Sequence, residues 1–193
     1  MSTTATPTPI TTATPTTSTT YSTWEAFNKA MCEGKAPAEL RSDPQLNVKS
    51  FTVKHITSKV ANAGSNAFFD LRVKPSMGDA FMIKFPDTPT DQRKAGETRE
   101  YTLEVDRPLN VFDFVQAEST AEKAGSLHMR VRDKDSDRDR NAWLPSHIQV
   151  TANLANGNAI TFADREWPES KWFSGNEKDA GGLAKPSWNL VAV

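Results

Sequence analysis

The sequence predicts an all-β chain, an antiparallel β-sandwich of about eight strands. Two observations lead there. From residue 48 onward, apolar residues recur at every second position, the spacing of a strand with one face inward. The alternating runs are short and are separated by Gly, Pro, Asn and Asp, the residues that turn a chain.

The elements follow in order. Residues 1–21 are almost entirely Thr, Ala, Pro and Ser, too poor in apolar surface to offset their ordering entropy, and are expected to form a low-complexity arm or linker. Ser22 and Glu25 fit a capping box, and Trp24, Phe27, Ala30 and Met31 share one face at helical spacing, so residues 22–47 are expected to hold a short helix and a connection. Gly34 and Pro37 are its stop signals. Phe51, Val53 and His55 alternate with Thr52, Lys54 and Ile56. Ala67 to Val73, Phe81 to Phe85, Tyr101 to Val105, Val111 to Val115, Leu127 to Val131, Ile148 to Val150 and Ile160 to Phe162 continue the strand reading, which gives a sandwich over residues 48–174. Residues 175–193 form a C-terminal extension ending in Trp188-Asn189-Leu190-Val191-Ala192-Val193. That run reads as a strand, either closing the chain's own sheet or adding to the edge of a neighbour's.

The composition narrows the functional classes. The 193 residues carry 23 Lys and Arg against 24 Asp and Glu, a net charge of -1, so no global field draws the chain to nucleic acid. No apolar run approaches the roughly 20 residues of a membrane-spanning helix, and the start lacks the features of a signal peptide. Cytoplasmic synthesis is the default expectation, with unconventional export left open. Cys32 is the single cysteine, so no internal disulfide forms. His55, His128 and His147 lie apart in strand contexts, and no nucleophile–base pair, zinc motif or Gly-rich phosphate loop is visible. The chain is expected not to be an enzyme.

The most distinctive segment is Arg132-Asp133-Lys134-Asp135-Ser136-Asp137-Arg138-Asp139-Arg140-Asn141-Ala142-Trp143-Leu144. Asp133, Asp135, Asp137 and Asp139, with Asn66 or Asp70 from the turn expected opposite, offer the oxygen ligands that calcium takes. The EF-hand pattern fails, because Arg138 and Leu144 stand where Gly and Glu are required. Interleaved basic residues supply the other reading, a solvated ladder of ion pairs. Arg138 and Arg140, with Trp167, Trp172 and Phe173, are the candidates for contact with a surface. The three aromatics also suit a lid on the core, which is the favoured use.

The order of these segments resembles the PLAT domain, the polycystin–lipoxygenase–alpha-toxin module. Phe51-Thr52-Val53-Lys54-His55-Ile56-Thr57 leads into Ala63-Gly64-Ser65-Asn66-Ala67 and a second strand, as the family's first strand leads into a small-residue turn. Arg99 to Val105 occupies the place of a family strand. Leu127 to Val131, the Asp-bearing loop, Trp143-Leu144 and Ile148-Gln149-Val150 follow the family's most recognisable stretch. Gly157 and Phe162 with Trp167 or Trp172 resemble its closing hairpin and terminal tryptophan. The resemblance spans about residues 49–174. Asn66 and Ser65 stand where family members often carry Asp and Thr, and the acidic loop opens Arg-Asp rather than His-Asp.

The resemblance implies a PLAT-like sandwich that binds through its loops. The expected function is docking to a protein or lipid surface, assisted by calcium. The alternatives are a structural subunit tied to neighbours, as a homo-oligomer or larger assembly, by the arm and the C-terminal strand, or an accessory domain of a membrane-acting toxin or hydrolase.

Overall fold

The computed structural model describes residues 29, 37–65, 67–76, 78–86, 93–114, 125–131, 142–173 and 187–192. Alternation in these segments produces two four-stranded sheets. Sheet 1 has the order β4-β1-β6-β7, with β1 at Val48–Thr57, β4 at Thr98–Glu104, β6 at Pro145–Leu154 and β7 at Ala159–Glu166. Sheet 2 has the order β3-β2-β5-β8, with β2 at Phe69–Lys74, β3 at Phe81–Lys84, β5 at Ser126–Val131 and β8 at Ser187–Ala192. All six strand pairings are antiparallel. The β6–β7 hairpin turns at Asn156-Gly157, and Gly157 has φ of 84°, a conformation that a residue with Cβ rarely takes.

Inward residues of both sheets form the core. Phe51 and Val53 of β1, Ile148 and Val150 of β6 and Ile160 of β7 meet Phe69, Leu71 and Val73 of β2 and Leu127 and Met129 of β5, all fully buried. The sequence alternation thus sets the buried face strand by strand.

Two elements depart from expectation. The segment Val111–Phe114 is a 3-10 turn, not a strand. The Asn110 side chain accepts from the Phe112 N–H at 2.9 Å, and the Asp113 carboxylate accepts from the Asn110 N–H at 2.9 Å, which closes the turn from both ends. Val111, Phe112 and Phe114 are all buried, so the apolar run reflects burial on every side rather than alternation. A short helix, α1, occupies Pro37–Arg41 and was not anticipated. The Asn110 amide donates to the Leu40 and Asp43 carbonyls at 3.2 and 3.0 Å, taking up acceptors that the helix end leaves open. The C-terminal run takes the first of the two uses expected of it: β8 pairs with β5 in the chain's own sheet. The arm over residues 1–21 and the helix expected from Ser22 lie outside the described residues, Lys29 excepted.

Candidate functional site: the loop end of the sandwich

Strand direction gathers one set of connections at a single end. There β1 ends at Thr57 and pairs with Pro145, where β6 begins. At the same end β2 begins at Phe69, paired with Val131, where β5 ends. The Ser58–Phe68 connection, the stretch before β4 and the residues on both sides of 132–141 therefore converge. Backbone bonds lock them together: Ser58 N–H donates to Leu144 at 2.9 Å, Leu144 N–H to Ala63 at 3.0 Å, and Trp143 and Phe173 exchange two bonds at 2.8 Å.

The end is built around Trp143, which is fully buried. Its indole N–H donates to Thr57 Oγ1 at 3.1 Å. Its ring lies 5.2 Å from Phe69, 5.3 Å from Phe173 and 4.8 Å from His55. Burying a ring of this size contributes roughly 4–6 kcal/mol by area. The tryptophan thereby fixes the point where the chain returns from the Asp-rich segment into β6.

Arg93 backs the turn before β2. It is only 2% exposed, stacks its guanidinium 4.2 Å from the Phe69 ring centre and donates to the Ala67 carbonyl at 2.8 Å. A buried cation held between a carbonyl and aromatic faces positions the backbone on both sides of Asn66. Gly64 is required beside it, because a Cβ there would lie 2.6 Å from the Arg93 carbonyl oxygen.

His55 occupies the inward slot that its place in the alternation assigns. It is fully buried, stacked on Tyr101 at 5.7 Å and edge-on to Trp143. Among the described residues neither ring nitrogen has a hydrogen-bond partner. Burial above all, then the positive charges of Arg93 and Arg99, lower its pKa from 6.5 to about 3. It is a neutral packing residue at neutral pH.

Asp133, Asp135, Asp137, Asp139 and Asn66, the candidate calcium ligands, lie outside the described residues, as do Arg138 and Arg140. Asp70 is described and only 7% exposed on the outer face of β2. Among the described residues no group of three His, Cys, Asp or Glu side chains converges on a metal position. Trp167 and Phe173 were candidates for surface contact, and their burial corrects that assignment: they are 5% and 0% exposed and stack at 5.3 Å. The Trp167 indole N–H is turned onto the Lys171 carbonyl at 2.7 Å, and this local bond closes the segment over the core. Trp172 is partly buried against the same core. Val60 and Phe68, at 43% and 37%, are exposed at this end instead.

The other histidines lie on outer faces. His147 meets Asp164 at 2.9 Å on sheet 1, where Asp164 also accepts from Gln149. His128 contacts Ser126 at 3.1 Å on sheet 2. The His147–Asp164 pair was missed because its partners are far apart in sequence. Among the described residues the contacts of the pair include no nucleophile.

No family model and no curated protein matches the sequence. Solved structures do match the fold. The alpha toxin from Clostridium absonum aligns with a TM-score of 0.54 at 14% identity, over 77% of this chain and 32% of that one. The Clostridium perfringens alpha-toxin isolated from avian strain SWCP aligns with a TM-score of 0.53 at 19% identity, over 86% of this chain and 36% of that one. The chain thus spans about a third of the length of the toxins it matches. A coral 8R-lipoxygenase aligns at a TM-score of 0.43, too low to add to the argument. Two four-stranded antiparallel sheets, Trp143 at the return from the Asp-rich segment and the alignment with both toxins establish that this chain has a PLAT-like fold.

Proposed function

We propose that the chain is a non-enzymatic docking module that seats the loop end of its sandwich on a lipid surface. The observation that carries the proposal is the coincidence, at one end, of exposed Val60 and Phe68 with the two residues, Val131 and Ala142, that flank the Asp-rich segment. Apolar side chains on short turns enter a bilayer interface at little cost, and carboxylates beside them hold a cation that bridges to anionic headgroups. The rigid Trp143–Phe69–Phe173 cluster beneath supports the loops, as docking on loops requires. Among the described residues no helix is long and apolar enough to cross a membrane, which agrees with contact at the surface through this end.

Calcium is the cation that Asp133, Asp135, Asp137 and Asp139 suit, with Asn66 supplied by the turn that Arg93 holds. Calorimetric titration of calcium into metal-free protein tests this part. Saturable binding that raises the melting temperature, and that is lost in Asp133→Asn with Asp135→Asn, is expected. Equal heats in both proteins would leave the aspartates as a solvated ion-pair ladder.

A further inference from the structure

The two sheets carry outer faces of opposite charge. On sheet 2 the register places Lys84, Asp70 and Arg130 in one row and Met82, Arg72 and His128 in the next, with Lys74 beside Ser126 beyond them. Asp70 is largely covered, whereas Lys74, Lys84 and Met82 are exposed. Arg72, Lys74 and Lys84 make no ion pair among the described residues. Besides the burial that acts on it first, His128 has its pKa lowered by Arg72 and Lys74, which is the local sign of a positive face.

On sheet 1 the register sets Glu104, Ser50 and Asn153 in one row. The next row is Thr102, Thr52, Thr151 and Thr161. Then come Glu100, Lys54, Gln149 and Asp164, and last Thr98, Ile56, His147 and Glu166. Four carboxylates stand against Lys54 on this face, and Glu100, Glu104 and Glu166 make no ion pair among the described residues. The acids lie on the two outer strands, β4 and β7, and the middle strands carry hydroxyl and amide groups together with Lys54, Ile56 and His147.

We propose that the basic outer face of sheet 2 docks on the acidic outer face of sheet 1 of a second copy of this chain. The complementarity argues for that occupant. Three cations on one face, without an ion pair among the described residues, answer three such carboxylates on the other, and an anionic surface would engage only the first. Met82, 40% exposed amid the cations, meets the methyl groups of the threonine row and supplies an apolar centre. Because the two faces differ, the contact is head-to-tail and builds an open row of copies rather than a closed pair. Strands about 4.8 Å apart and same-face residues about 7 Å apart give a footprint of only a few hundred Å2, below the roughly 800 Å2 per partner of a stable complex. The association is therefore weak, and it depends on charges that about 0.3 M salt screens. It uses the outer sheet faces and not Val60 or Phe68, so docking to a surface remains free to occur alongside it.

Sedimentation equilibrium of the full chain tests the proposal. The average mass is expected to rise with protein concentration in about 20 mM salt and to return to the monomer in about 0.3 M salt. Arg72→Glu with Lys74→Glu, and separately Glu100→Lys with Glu104→Lys, each weaken self-association by about tenfold or more. All four positions are solvent-facing, and unchanged melting temperatures show that the variants fold. Mixing the two variants restores association, since each reversed face then meets its opposite on the other protein. Monomeric wild type at low salt, association insensitive to salt, or a mixture no stickier than its components overturns the proposal. A monomer whose Arg72 and Lys74 are needed to bind phosphatidylserine vesicles also overturns it, and assigns the basic face to an anionic surface.

Discussion

Acid should loosen this fold through His55, and the amount follows from its surroundings. The imidazole is fully buried against Tyr101 and Trp143, with Arg93 and Arg99 as the charges nearest it. In the unfolded chain it takes up a proton as pH falls through 6.5, whereas in the folded chain it does so only near 3. A lowered folded pKa means that the unfolded state binds the proton first. Stability is therefore intact above pH 6.5 and is lost progressively as pH falls toward 3. The loss is about 2 kcal/mol at pH 5 and approaches about 4–5 kcal/mol near pH 3, at about 1.4 kcal/mol for each pH unit. Asp113 works in the opposite sense, because burial above all raises its pKa. A raw pH curve mixes the two, so a variant isolates His55. His55→Leu keeps a similar volume, removes the titrating group and leaves no broken hydrogen bond, since neither nitrogen had one. Urea melts of both proteins at pH 7 and pH 5 should show the variant's relative stability improving by about 2 kcal/mol at the lower pH. A difference that stays constant between these pH values would instead place His55 in a hydrated site with an ordinary imidazole pKa.

Three further perturbations probe the loop end. Arg93→Lys keeps the charge but loses the flat contact with Phe69 and the donor to Ala67, and should cost about 1–3 kcal/mol in denaturant unfolding. Trp143→Phe leaves Thr57 Oγ1 without its donor and opens a cavity, for about 2–4 kcal/mol by the same assay. Gly64→Ala drives a Cβ to 2.6 Å from the Arg93 carbonyl and should lower the melting temperature at a cost of about 1–3 kcal/mol, whereas Ala at an exposed strand position such as Thr98 should change it little.

Strand positions and the buried face were legible because alternation encodes them directly: Phe51, Val53 and His55 point inward as their spacing dictates. Even the burial of His55 follows from spacing, if the pattern is read without regard to polarity. Val111–Phe114 misled because its residues are apolar on every side, and the Asn110 and Asp113 signals three residues apart mark a turn just as well. Arg93 was hidden in a polar stretch, Asp91-Gln92-Arg93-Lys94, where composition cannot separate a buried cation from solvated ones. Its identity depends on Phe69 and Trp143, which only folding brings near. Trp167 and Phe173 had two readings, surface contact or lid, and the core geometry selects the lid. The Asp-rich segment was plain in sequence, and the residues that flank it, Val131 and Ala142, lie at the end that carries Val60 and Phe68, apolar residues too scattered to be noticed before folding.

The most direct measurement of the account is co-sedimentation of the full chain with vesicles of phosphatidylcholine and phosphatidylserine, with calcium and with chelator. Val60→Asp with Phe68→Asp alters the loop end, and Met82→Asp alters a residue of similar exposure on the sheet 2 face. Calcium-dependent binding that Val60→Asp with Phe68→Asp abolishes and Met82→Asp preserves is the expected result. Binding that survives the loss of both loop residues, or no binding by the wild type, would contradict lipid docking through the loop end.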